Sequence, residues 1–153
     1  MLKGMIAKED VRNKCLEMLN NKITALQKNL HDLQHSAANE TKSTAGDKHE
    51  TALAMLQIEQ ENTGRQLQVL LGQRLQLTQL DLSKSATIIG KGSLVYTNKG
   101  LVFISVGIGK FHMGNNMIMV ISHTSPLGSM LVGKKVGDTL QCNNVDYRVD
   151  EIV

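Results

Sequence analysis

Two carboxylates, Asp47 and Glu50, stand three residues apart just after Gly46, and Lys42, Lys48 and Arg65 are spread around and beyond them. If this segment opens a helix, that spacing sets both carboxylates on one face, where they favour the electropositive helix N-terminus. On spacing alone, such a pair reads as capping and solvation. Glu40 lies in the preceding stretch and adds a third carboxylate to the neighbourhood. Contact with a phosphate backbone needs charge more than base-specific geometry, and the basic residues have that charge; by themselves they describe a solvated face. Of the histidines, only His31 and His35 have the i, i+4 spacing of a helical metal pair, and the Glu of a zincin motif is missing between them. Cys15 and Cys142 fall in unlike segments far apart, which suits neither a disulfide framework, a zinc site nor a thiol enzyme, and fits a reduced cytoplasm.

The elements that must position these groups follow from periodicity. Leu16, Leu19, Ile23, Leu26, Leu30 and Leu33 are spaced three and four apart in alternation, the heptad seam of a coiled coil. Polar runs such as Asn20-Asn21-Lys22 occupy the other faces, so the seam is narrow. A helix from about 8 to 38 would be roughly 45 Å long. The pattern breaks in small polar residues, giving a tip at about 37–50. It returns at Leu53, Leu56, Leu67, Leu70 and Leu77, with Gln60, Thr63 and Arg74 in the intervening seam positions. Gly64 and Gly72 each lower helix propensity by roughly 1 kcal/mol, so packing against the first helix must supply the difference. Residues 1–82 are expected to form an antiparallel coiled-coil hairpin.

After Leu82 the texture changes to short apolar runs punctuated by glycine. Ser93-Leu94-Val95-Tyr96-Thr97 and Leu101-Val102-Phe103-Ile104-Ser105-Val106 read as strands joined at Asn98-Lys99-Gly100, and a third strand begins near Met117. Ser125 and Pro126 offer an N-cap and a first helical residue, and Gly133 a stop, for a helix over 125–132. Two last strands flank Asn143-Asn144, a pair that tolerates the left-handed turn. Residues 83–153 are therefore expected to be a separate antiparallel sheet with one short helix, and the chain to be of the α+β class.

With 153 residues, 41% of them hydrophobic and no Trp, the chain is globular but poor in large aromatics, as an elongated helical part would make it. A net charge of +3 is too slight for an autonomous duplex-DNA binder, so no sequence-specific DNA binding is expected. The N-terminal apolar stretch is too short and too soon interrupted by charge for a signal peptide, and no run approaches the ~18 apolar residues of a membrane span.

Two segments carry a resemblance. The run Ser125-Pro126-Leu127-Gly128-Ser129-Met130-Leu131-Val132-Gly133-Lys134-Lys135-Val136-Gly137-Asp138 is similar to the C-terminal signature S-P-x-x-x-x-L-x-G-K-x-x-G-D of the Gre family of bacterial transcription elongation factors, and Gly46-Asp47-Lys48-His49-Glu50-Thr51-Ala52 resembles that family's tip motif G-D-x-x-E-N-A. The resemblance implies an FKBP-like C-terminal domain, RNA polymerase as partner, and a hairpin entering the polymerase secondary channel near the nascent RNA 3′ end. It further implies that Asp47 and Glu50 share a Mg²⁺ ion with the polymerase to assist cleavage of backtracked RNA, with no cofactor bound by the protein alone. Mg²⁺ takes oxygen ligands and commonly one or two carboxylates from any one source. Ser125, Pro126, Lys134 and Lys135 would meet the polymerase, and Lys42, Lys48 and Arg65 the RNA. The sequence departs from the family at Thr51, where Asn is usual, at Ala54, where Tyr is usual, and at Thr124, where an acidic or amide residue is common. These departures permit a non-cleaving regulator of the same channel as the alternative. A peptidyl-prolyl isomerase would need an aromatic-walled pocket, for which the second half has only Tyr96, Phe103, Phe111 and Tyr147; a plain coiled-coil adaptor is the remaining reading.

Overall fold

The computed structural model describes residues 6–41 and 46–153, apart from the side chains of 40, 41 and 46–49. Two helices of 34 residues, α1 (Lys8–Thr41) and α2 (Gly46–Gln79), precede a six-stranded sheet and one short helix. The chain forms two compact units: residues 17–75, and residues up to 16 together with 76–153.

Within 17–75 the helices run antiparallel. Arg74 donates from Nη1 to Asn20 Oδ1 at 3.0 Å, and Gln60 donates from Nε2 to the Leu33 carbonyl at 3.3 Å, so partners on α2 fall in number as those on α1 rise. On α1, Leu19, Ile23 and Leu33 are buried, with Leu26 and Leu30 half-buried between them. The seam of α2 keeps the expected frame through its polar members: Thr63 is buried and Gln60 and Arg74 half-buried, between the half-buried leucines. Two polar seam positions thus spend their hydrogen bonds on α1, each a net contribution of roughly 1 kcal/mol.

Leu16 departs from its expected place. It is half-buried, and the buried positions below Leu19 are Cys15 and Val11. Steps of four along a helix turn the buried face by about 40° each, so the buried stripe of α1 rotates where the helix belongs to the sheet unit.

In that unit, β1 (Leu94–Thr97), β2 (Gly100–Ser105), β3 (Gly109–Met113), β4 (Asn116–Ser122), β5 (Thr139–Cys142) and β6 (Val145–Ile152) pair in the order β3-β4-β2-β1-β6-β5. The sheet is mixed rather than wholly antiparallel, because β2 and β4 run parallel, with Leu101 opposite Ile118 and Ser105 opposite Ser122. The chain leaves β2, passes beyond β4 to the edge strand β3, and returns antiparallel through Gly114, which has φ +61°. The β5–β6 turn places Asn143 and Asn144 at φ 52° and 64°, the pair of left-handed residues that a two-residue hairpin takes.

Alternation assigns the faces. Val95, Val102, Ile104 and Val149 pack with Leu127 and Leu131 of α3 (Pro126–Leu131), and Leu94, Tyr96, Leu101, Phe103, Ile118 and Val120 are buried on the other side. Burial on both faces is why β2 is a continuous apolar run. The start of α3 is tightly built: Ser125 Oγ accepts from the Gly128 N–H at 3.1 Å and donates to the Ser122 carbonyl at 2.7 Å. A Cβ on Gly128 would lie 2.0 Å from Ser122 O. Gly128→Ala is expected to destabilise the protein by about 2 kcal/mol in urea unfolding, as an overpacked site does, and Ser125→Ala by about 1 kcal/mol through loss of the cap. An unchanged midpoint for Gly128→Ala would mean that the Ser122 carbonyl moves aside without cost.

Burial pushes the Cys15 thiol up to about 12, partly offset by a hydrogen bond to backbone. The unfolded chain ionises this thiol near its ordinary value of 9.0 while the native state keeps the proton. Above that value the native state binds more protons, so stability falls as pH rises between about 9 and 12, by up to about 4 kcal/mol. Cys15→Ala should flatten this alkaline slope in stability measured against pH, and native Cys15 should react with disulfide reagents at neutral pH far more slowly than in denaturant.

Candidate functional site

The two groups of residues singled out by sequence lie in different units. Asp47 and Glu50 share the first turn of α2, which starts at Gly46, so their spacing of three is realised on a helical backbone. Glu50 is exposed. The side chains of Glu40, Asp47 and Lys48 lie outside the description, as does Lys42 altogether. Arg65 is exposed and donates to Asn62 Oδ1 within its own helix; it stands roughly 25 Å along the axis from Lys48. No group of three or more His, Cys, Asp or Glu that would hold a metal by itself occurs among the described residues. Two tip carboxylates are a partial donor set, suited to an ion that a second macromolecule also ligates.

The second group lies on one stretch of chain, from the start of α3 to the turn that follows it. Pro126 is exposed at the first position of α3, and Ser125 is engaged in capping it. Past the helix, Gly133 at φ +89° and Gly137 at φ +93° take left-handed conformations that bracket Lys134-Lys135-Val136. The Asp138 carboxylate accepts from the Lys135 N–H at 2.8 Å and fixes this turn. Lys135 also bridges Ile88, and the Lys134 carbonyl accepts from the Ile89 N–H at 3.0 Å. The turn is therefore rigid, with the Lys135 side chain exposed and that of Lys134 half-exposed.

Sequence reasoning missed what surrounds these lysines. Ile88, Val132 and Val136 are 47%, 41% and 58% exposed, large apolar side chains on the two segments that the Ile88–Lys135 bridge joins. Exposed apolar groups gathered beside cations suit a protein partner better than solvent. The available signal was Val132 and Val136, which stand next to Leu131 and Gly137 but outside the positions that the helix and turn require. The clefts of the sheet unit that involve Asn98 to Arg148, Gln76 to His123 and Lys8 to Ser93 have one aromatic lining residue between them, Tyr147. An aromatic-walled isomerase pocket has no counterpart in them. Among the described residues no helix is long and apolar enough to cross a membrane.

No family model and no curated protein matches the chain. Among solved structures, that of the transcription factor Gfh1 aligns with 90% of this chain and 92% of its own at 20% identity, with a TM-score of 0.35, too low for the likeness to carry weight.

Proposed function

We infer that this protein is a Gre-type accessory factor of RNA polymerase in the cytoplasm, not an enzyme by itself. Its helical hairpin enters the polymerase secondary channel and presents Asp47 and Glu50 near the 3′ end of backtracked RNA. The turn at 133–138 and the exposed start of α3 anchor it on the polymerase. One observation carries the reading: the motif Gly46-Asp47-Lys48-His49-Glu50 opens the second helix of an antiparallel hairpin, at the end where the helices are joined. A sheet domain bearing the matching C-terminal signature follows in the same chain.

Asp47 and Glu50 would hold a Mg²⁺ ion shared with the polymerase, and such an ion supplies charge stabilisation for attacking and leaving oxygens in phosphodiester cleavage. The chain's own contribution is placement. Two carboxylates on a helical turn keep a fixed separation, which a loop would not give. The docking contacts are Pro126, Lys134, Lys135 and the apolar Ile88, Val132 and Val136, with Ser125 holding the helix start.

Asp47→Asn with Glu50→Gln should abolish stimulated cleavage in a stalled complex at millimolar Mg²⁺ while binding to polymerase survives. A loss of at least ~10-fold, about 1.4 kcal/mol on the barrier, is the minimum that supports ligation. Undiminished cleavage by the double variant would make the carboxylates capping residues. A parent protein that competes for the channel and never stimulates cleavage would be the non-cleaving regulator. Val136→Asp, a change on an exposed side chain, should weaken competition for polymerase by ~10-fold or more, as loss of a central contact does. Equal competition by the folded variant would place the anchor elsewhere.

A further inference from the structure

Helix α2 carries two heptad stripes within the unit 17–75. One, through Gln60, Thr63, Leu67 and Leu70, is buried or half-buried against α1. The other runs Met55, Ile58, Asn62, Arg65, Val69 and Gly72, with the same alternation of three and four, and all six positions are exposed. At 3.6 residues per turn the second stripe lies roughly 150° around the helix from the first. Met55, Ile58 and Val69 are 61%, 57% and 62% exposed, so α1 leaves them uncovered. Single apolar side chains are ordinary on a surface, whereas three in one heptad frame are the pattern of a helix that packs on another helix.

The stripe is complementary to itself. When a second copy of α2 is laid antiparallel on it, with the two-fold axis between Thr63 and Gly64, each copy meets the same surface that it presents. Ile58 then faces Val69 of the second copy, Met55 faces Gly72, and Asn62 faces Arg65. A Cβ built on Gly72 meets nothing within 4 Å, so the long Met55 side chain of the other copy has open space to fill. Val69 also walls an apolar groove between α1 and α2 with Ala25, Leu26 and Leu70, so Ile58 of the second copy meets a hollow and not a bare helix crest.

Charge selects the direction. Glu59 and Glu61 precede the axis and Arg65 follows it, so antiparallel pairing sets each Arg65 within about one turn of both carboxylates of the second copy. Parallel pairing would set Arg65 against Arg65 and Glu61 against Glu61. Arg65 already donates to Asn62 of its own helix, and its guanidinium has further donors for the carboxylates opposite. A polar layer at the centre of an apolar stripe fixes register and orientation.

We propose that two copies of this chain associate through the outer stripe of α2, antiparallel about that axis. The stripe is roughly 26 Å long and covers less than a standard interface, so the association is weak and reversible, with a dissociation constant on the order of 10–100 µM. The inference makes no use of polymerase and is tested without it.

Sedimentation equilibrium of the full chain between about 5 and 500 µM should show a reversible monomer–dimer equilibrium. Ile58→Asp and Val69→Asp should each raise the dissociation constant ~10-fold or more; both side chains are exposed, and circular dichroism reports the fold of each variant. Arg65→Glu and Glu61→Arg should each weaken association, and the two changes combined should recover most of it, a pattern that indiscriminate apolar adhesion does not produce. Register is read by mixing Ile58→Cys protein with Val69→Cys protein under oxidised glutathione, where native Cys15 and Cys142 are buried. The mixed pair should cross-link faster than either variant alone. A monomer throughout that concentration range, unchanged association in folded Val69→Asp, no recovery in the charge exchange, or cross-linking of Ile58→Cys to itself as fast as to Val69→Cys would overturn the proposal.

Discussion

The terminal carbonyls of α2 set the constraint on which the base of the hairpin depends. A helix ends with carbonyls that have no partner in the helix, and here Arg12 of α1 supplies one, donating from Nη1 to Leu80 O at 2.9 Å and to Leu77 O at 3.4 Å. Lys8, only 7% exposed, donates its ammonium to the Lys84 carbonyl at 2.9 Å. The first turns of α1, the last turn of α2 and the segment leading to the sheet are thereby one compact unit, with Val11, Cys15, Leu77 and Leu82 buried in it. Within 17–75, the pairs Asn20 with Arg74 and Leu33 with Gln60 solve a related problem. A leucine seam tolerates a slip by a heptad, whereas a polar group on the seam finds its partner in only one register. The polar seam residues that make α2 look weak are what fixes its alignment.

The C-terminal signature has a similar double meaning. Ser125 caps α3, Pro126 occupies its first position, Leu131 is fully buried, Gly133 and Gly137 adopt positive φ, and Asp138 closes the turn between them. Every signature residue but Lys134 is thus required by the backbone. The resemblance speaks first to fold. What differs between proteins built on this turn must reside in the positions between, here Val132, Lys135 and Val136, whose side chains the fold leaves at the surface.

Much of the architecture was legible because it obeyed a single period or a local rule. The α2 frame, including Gln60, Thr63 and Arg74, followed from heptad spacing alone, and the cap at Ser125 and the Asn143-Asn144 turn from residue chemistry. Strand β3 was not recognised: it is a short edge strand that opens on Gly109 at φ +116°, and only Phe111 and Met113 are half-buried, so its alternation is faint. The Gly114-Asn115 turn after it was the usable signal. Missing β3 concealed the parallel pairing of β2 with β4, since their connection then appears to be a plain loop. Cys15 displaced Leu16 from the buried stripe because burial there is set by the sheet unit and not by the heptad.

At the tip, capping and metal holding draw on one electrostatic fact. A carboxylate in a first helical turn lowers its energy against the helix dipole whether or not a cation arrives, so the residue types cannot separate the roles. Their difference lies in coordination number. Mg²⁺ prefers six oxygens and sheds water reluctantly, so Asp47 and Glu50 alone would compete with solvent for an ion that keeps most of its hydration shell. In the proposed complex the remaining ligands come from the polymerase and the RNA, and the tip contributes two charges already held at a fixed spacing by α2. Under the proposed function, any catalytic effect of these carboxylates would therefore belong to the assembly and not to the protein alone.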